Sequence, residues 1–158
     1  MKSILVISML LITNLYSTEW WKGISLYPFG IVQHFESAEE TYEGNMKYFA
    51  ISKTFKNEDW SFEVGGGTFI DSYELRSYRI FTNMSYQEYT WGIFTPLLSI
   101  DFYYKGEEYN SDNRETVIAP GLKFRFGYED GIFITIQPVP KIKTLTNGFV
   151  AVEFGYKF

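Results

Sequence analysis

Three residues of this 158-residue chain could together move a proton and an acyl group: His34, its single histidine, and the adjacent pair Asp71-Ser72. An imidazole can take a proton from an attacking hydroxyl, and a carboxylate can orient that imidazole. A serine hydroxyl can itself be activated, or it can donate a hydrogen bond to an oxyanion. Other chemistries are poorly provided for. The chain has no cysteine, so a thiolate nucleophile, a thiolate metal site and a disulfide framework are ruled out. One histidine argues against a His-rich zinc site, and neither a metal nor a cofactor is expected. A formal net charge of −5 with no basic stripe argues against a nucleic acid partner. Taken by itself the trio is a weak signal, because Asp-Ser is a common turn dipeptide whose side chains bond their own backbone.

The elements that must hold these residues read as strands. Aromatic residues make up 20% of the chain, with Tyr and Phe far above Trp, and that mix favours strands over helices. From about Trp21 onward the dominant pattern is alternation. At the C-terminal end Val150, Val152, Phe154, Tyr156 and Phe158 fall on one face, and Ala151, Glu153, Gly155 and Lys157 on the other. Trp60, Phe62 and Val64 alternate with Ser61, Glu63 and Gly65 in the same way, as do Leu122, Phe124 and Phe126 with Lys123, Arg125 and Gly127. Alternation alone serves either a sandwich with its apolar face inward or a barrel with its apolar face toward lipid.

Two further features select the barrel. Lys2 followed by the apolar run Ile4 to Ile12 has the form of a signal peptide over residues 1–17, too short to span a bilayer as a helix, which needs about 20 residues. The final strand resembles the terminal segment by which outer-membrane barrels are recognised for insertion. The expectation is therefore an all-β chain, an eight-stranded antiparallel transmembrane β-barrel over residues 18–158, exported to an outer membrane. Its strands are read at 23–34, 46–56, 59–70, 77–87, 90–104, 115–127, 131–138 and 148–158. Short turns then fall near 56–59, 87–88 and 128–131. The connections 35–45, 71–76, 105–114 and 139–147, longer in this reading, lie at the opposite end. His34 and Asp71-Ser72 sit at that long-loop rim, on the outer side if both termini are periplasmic.

The segment Leu26-Tyr27-Pro28-Phe29-Gly30-Ile31-Val32-Gln33-His34 resembles the first strand of the lipid A palmitoyltransferase (PagP) family, in which a Leu-Tyr pair precedes the functional histidine by the same spacing. Phe49-Ala50-Ile51-Ser52-Lys53, Trp60 and Gly67-Thr68-Phe69-Ile70-Asp71-Ser72-Tyr73 resemble that family's hairpin, which ends in a Phe-x-Asp-Ser-aromatic motif. The likeness spans most of residues 26–76 and is fainter over 117–158. It implies an acyltransferase in which His34, Asp71 and Ser72 occupy active-site positions, a membrane phospholipid is the donor, lipid A or a related molecule is the acceptor, and the protein works as a monomer. The amphipathic N-terminal helix of the family is nearly absent here, and its tryptophans are largely replaced by Tyr and Phe.

The prolines fit the same picture. Proline deletes a ladder hydrogen bond and belongs at edges or bulges, yet Pro28, Pro120 and Pro138 fall in or at the ends of predicted strands of a closed barrel. The family has comparable prolines beside its lateral lipid gateways; simple strand ends account for them equally well. Gly65, Gly67 and Phe69 share an inward face where absent side chains would leave volume for an acyl chain. Lys123, Arg125 and Glu153, also inward, would form either a polar plug beneath that chain or ordinary lumen salt bridges. The competing function is a non-enzymatic surface barrel acting in adhesion, defence or other surface interaction through loops such as the acidic 105–114 segment. A pore is disfavoured, because side chains fill so small a barrel.

Overall fold

The structure is a computed structural model that describes residues 20–34, 45–70, 76–104, 116–142 and 146–158. The predicted signal peptide, Asp71 and Ser72 lie outside those residues. The strands are β1 (Ile24–His34), β2 (Asn45–Met46), β3 (Phe49–Lys56), β4 (Trp60–Ile70), β5 (Arg76–Tyr86), β6 (Phe94–Tyr104), β7 (Thr116–Gly127), β8 (Gly131–Ile142) and β9 (Thr146–Lys157). Each is antiparallel to its neighbour, and β9 pairs back onto β1, which closes the sheet. Strands β2 and β3 both lie on β1 and act as one interrupted stave, so the barrel has eight staves.

The alternating pattern sets which side chains enter the lumen. Ser25, Tyr27, Ser52, Glu63, Phe81, Ser99, Asp101, Lys123 and Phe133 are buried. The interleaved Ile51, Phe62, Val64, Ile80, Leu98, Ile100, Leu122 and Ile132 are exposed on the outer wall. The core is thus the lumen itself. Polar and charged residues crowd it while a continuous apolar surface faces out, which inverts the arrangement of a soluble sandwich.

Turn chemistry defines the end where the chain enters and leaves. Asn57 Oδ1 accepts from the Trp60 N–H at 2.7 Å and the Asp59 N–H at 3.2 Å, a local bond that reverses the chain between β3 and β4. Between β7 and β8, Gly127 and Gly131 adopt φ of 157° and 109°, and a Cβ on Gly127 would meet the Ile132 carbonyl oxygen at 2.6 Å. Between β5 and β6 the connection is longer than the sequence pattern predicts. A 3-10 turn, Gln87–Tyr89, is followed by a tight reversal in which Trp91 and Phe94 exchange backbone hydrogen bonds across Gly92 at φ 60°. The alternation of Tyr89, Trp91 and Ile93 imitates a strand, so the predicted start at residue 90 moves to Phe94.

Two other boundaries differ. The predicted second strand, 46–56, is broken at Lys47-Tyr48. The predicted long connection 139–147 is contradicted: β8 and β9 stay paired to Ile142↔Thr146, leaving three residues between them. Pro138 and Pro140 suggest a strand end only if the ladder needs their N–H groups. Being two apart, both face the same neighbour, and the intact β8–β9 ladder makes that neighbour β7. The β7 edge is unpaired there.

Candidate functional site

His34 and Ile70, the residue that precedes the predicted Asp71-Ser72 pair, lie at one end of the barrel. Strands β1 and β4 run in the same direction with β3 antiparallel between them, so the chain leaves His34 and Ile70 at the same rim. His34 is the last residue of β1, and its backbone pairs with Phe149 of β9. Asp71 and Ser72 follow Ile70 outside the described residues, so their contacts with His34 lie outside them as well.

Beneath the rim the lumen is bridged by ions. Arg79, on the fourth position of β5, donates through Nε to Asp101 at 2.7 Å and through Nη1 to the Tyr48 hydroxyl at 2.9 Å and to Glu153. Asp101, fully buried, also accepts from Lys123 Nζ at 3.0 Å and Gln137 Nε2 at 2.9 Å. A second cluster lies nearer the short turns. Glu63 accepts from Arg125 Nη2 at 2.7 Å, from Asn83 Nδ2 at 2.8 Å, and from the hydroxyls of Tyr27 and Ser52. Asn83 joins the two, since its Oδ1 accepts from Lys123 at 3.2 Å. Aromatic rings fill the space between: Tyr27 stands edge-on to Phe81 and Phe133 at centroid distances of 5.6 and 5.3 Å, and the Arg79 guanidinium lies 4.6 Å from the Phe81 ring centre.

The inward placement of Lys123, Arg125 and Glu153 read from the sequence is therefore correct, and each has an opposite charge. Their partners are Arg79, Asp101 and Glu63. The signal that finds them is a charge flanked by apolar neighbours, as in Tyr78-Arg79-Ile80 and Ile100-Asp101-Phe102. The expectation for the glycines is overturned. A Cβ on Gly65 would meet Phe81 Cζ at 2.3 Å and Ser52 Cβ at 2.7 Å, and one on Gly67 would meet the Phe49 carbonyl oxygen at 2.3 Å. These glycines leave no void for a chain; they admit Phe81 and the neighbouring strand.

The barrel wall is interrupted beside the prolines. Strands β7 and β8 pair only from Phe124↔Ile136 to Gly127↔Phe133, although both run on for several more residues toward the His34 rim. Pro120 of β7 and Pro138 of β8 lie in that unpaired stretch. A second irregularity surrounds Pro28. The β1–β9 register shifts between Leu26 and Phe29, and β1 leaves β3 after Tyr27↔Ala50 to rejoin β2 only at Gly30↔Met46.

Among the described residues no group of three or more His, Cys, Asp or Glu side chains could hold a metal ion. Fold and lumen together define the class: a closed eight-stranded antiparallel β-barrel, apolar outside and charged within. No protein-family model matches the chain, and no curated protein does either.

Proposed function

We propose that this chain is an outer-membrane barrel that transfers an acyl chain from a phospholipid to lipid A or a related acceptor at its long-loop rim. The supporting observation is the loss of the β7–β8 ladder beside Pro120 and Pro138, with the register irregularity beside Pro28 as its counterpart. Both fall where the resemblance to the lipid A palmitoyltransferase family implies lateral gateways, and an unpaired stretch of wall is where a lipid could pass sideways. The membrane setting is supported by the exposed apolar band, in which Ile80 is 61%, Ile118 58% and Leu122 53% accessible. Aromatics at the short-turn end, among them Trp21, Trp60, Tyr89, Trp91 and Tyr128, suit a bilayer interface.

In this reading His34 takes the proton of an acceptor hydroxyl as its oxygen attacks the donor ester carbonyl. The tetrahedral intermediate collapses with the proton delivered to the departing glycerol oxygen, giving acylated acceptor and lysophospholipid. Asp71 would orient the imidazole, and Ser72 would donate to the ester oxygen as charge develops there. The test is acyl transfer by the refolded protein from labelled phospholipids to lipid A. Labelled product from the wild type but not from a folded His34→Ala or Ser72→Ala variant supports the reading. Retained transfer by His34→Ala removes His34 as the base.

One observation favours the alternative of a non-enzymatic surface barrel. Arg79 is only three residues into β5, about 10 Å from its start at 3.3 Å per residue, so bridging ions occupy the lumen close beneath the rim. This reading expects loop replacement to abolish function and His34→Ala to be silent.

A further inference from the structure

A single side chain crosses the β7–β8 seam where its ladder stops. Strand β7 is paired to β6 from Phe94↔Phe126 to Tyr104↔Thr116, and β8 to β9 as far as Ile142↔Thr146, yet the ladder between β7 and β8 ends at Phe124↔Ile136. The β8–β9 hairpin also runs past the last β1–β9 pair, His34↔Phe149, and beside that pair Gly148 adopts φ 73°, outside the extended range of a strand. The outer part of this hairpin therefore keeps its own ladder but, among the described residues, has none to β7. A glycine at its base is the kind of position that absorbs a hinge motion.

Gln137 is the first residue of β8 beyond the β7 ladder, and its side chain is buried in the lumen. Its Nε2 donates to Asp101 Oδ2 at 2.9 Å. Asp101 belongs to β6, so the bond passes over β7 and joins the two sides of the seam. The crossing point is Gly121, where an added Cβ would lie 3.4 Å from Gln137 Nε2 and a larger side chain would stand in the path of the amide. A carboxylate only accepts, which fixes the amide with its nitrogen toward Asp101. Gln137 Oε1 is buried without a hydrogen-bond partner among the described residues, so the bond to Asp101 is what holds the amide. The two oxygens of Asp101 serve different partners. Oδ1 takes the cations Arg79 and Lys123, whereas Oδ2 takes Gln137 and, at 3.4 Å, Ser99. Loss of Gln137 would leave the ion pairs of Asp101 in place.

We propose that Gln137 is a positioning residue that latches this seam: bound to Asp101 it holds the outer half of β8 against β7, and released it lets the β8–β9 hairpin swing outward and admit the acyl chain of a membrane lipid. The missing ladder is what makes one side chain decisive, since with a row of backbone bonds in place a single amide would change little. A hydrogen bond to a charged acceptor favours the bound form about tenfold or more, so the closed seam dominates while the open one stays populated. The inference rests on the reading of this seam as a lateral lipid entrance; the motion itself requires no catalysis.

The chain has no cysteine, so nitroxides can be attached at Ile118→Cys on β7 and Asn147→Cys on β9, which leave β8 and its prolines unchanged. The distance between them is read by pulsed electron resonance on the refolded full chain in lipid. The otherwise unaltered barrel should give one dominant distance. Gln137→Met, similar in size but without the donor, should raise about tenfold the population of a second distance, longer by about one strand spacing of 4.8 Å. Ser99→Ala removes the other contact of Asp101 Oδ2 without touching the seam and should leave the distribution unchanged. If Gln137→Met does not fold, Gly121→Val, which puts a branched side chain in the path of the amide, should give the same longer population. Identical distributions with and without the latch substitution in a folded barrel, or equal opening by Ser99→Ala, overturn the proposal. Acyl transfer is measured on the same samples: opening that depends on Gln137 in a barrel that transfers no acyl chain supports the latch and counts against the transferase reading alone.

Discussion

Replacing Asp101 with alanine removes the acceptor on which much of the lumen network converges. The carboxylate is fully buried and takes hydrogen bonds from Arg79 at 2.7 Å, Lys123 at 3.0 Å and Gln137 at 2.9 Å. Arg79 would keep Glu153 and Tyr48, but Lys123, itself fully buried, would keep only the neutral Asn83 oxygen at 3.2 Å. Breaking a buried pair by deleting one partner costs about 3–5 kcal/mol, because the charge left behind is uncompensated. The paired substitution Asp101→Leu/Lys123→Met removes that orphan and should recover most of the loss, since apolar groups can replace a buried ion pair at about neutral cost. Urea unfolding of the refolded barrel, followed by tryptophan fluorescence and by the folded-to-unfolded shift on cold gels, measures both. A single-variant loss under about 1 kcal/mol, the range of exposed ion pairs, would mean that water screens the lumen and that the closed network is not what fills it.

Three further outcomes follow from the same geometry. Glu129→Gln, which breaks the Lys56–Glu129 pair whose side chains are 37% and 69% exposed, should change stability by less than about 1 kcal/mol in the same unfolding experiment. Gly65→Ala should cost about 1–3 kcal/mol by overpacking against Phe81, and Gly65→Ala/Phe81→Leu should regain part of it; an additive double variant would show that Phe81 does not fill that space. Ile80→Arg, on the outer wall, should cost about 2–4 kcal/mol in lipid vesicles if Ile80 sits near the bilayer midplane, and a silent substitution would argue that this face does not meet lipid.

Much of the architecture is legible in the chain because side chains alternate along a regular strand; the alternation of β1 breaks around Pro28, where the β1–β9 register shifts. Once Trp60, Phe62 and Val64 are taken as one face, Glu63 must lie on the other, and the same logic turns Lys123, Arg125 and Glu153 inward. Eight runs of alternation separated by Asn, Asp and Gly turns therefore imply the stave count, the antiparallel order and the end of the barrel at which His34 emerges. Ambiguity arises where local chemistry has two uses. Gly92 interrupts a run that otherwise reads as strand, and its positive φ converts the run into a turn. Pro138 reads as a strand end, yet it persists within β8 because the β7 neighbour it faces is not paired to it.

What the sequence by itself determined is parity along the regular strands: which residues face the lumen and which face outward. Only tertiary structure decided the partners. Arg79 and Glu153 are 74 residues apart and come from strands on different sides of the barrel, so nothing in their local spacing joins them. Closure brings them into one low-dielectric lumen, where each buried charge is driven to find its opposite. The fate of Gly65 was settled there too. A glycine on an inward face signals only that a side chain is absent, and whether the space is empty depends on a ring reaching in from the adjacent stave, here Phe81. Parity is a property of the backbone and survives in one dimension, whereas pairing and filling depend on distances that exist only after the sheet has closed.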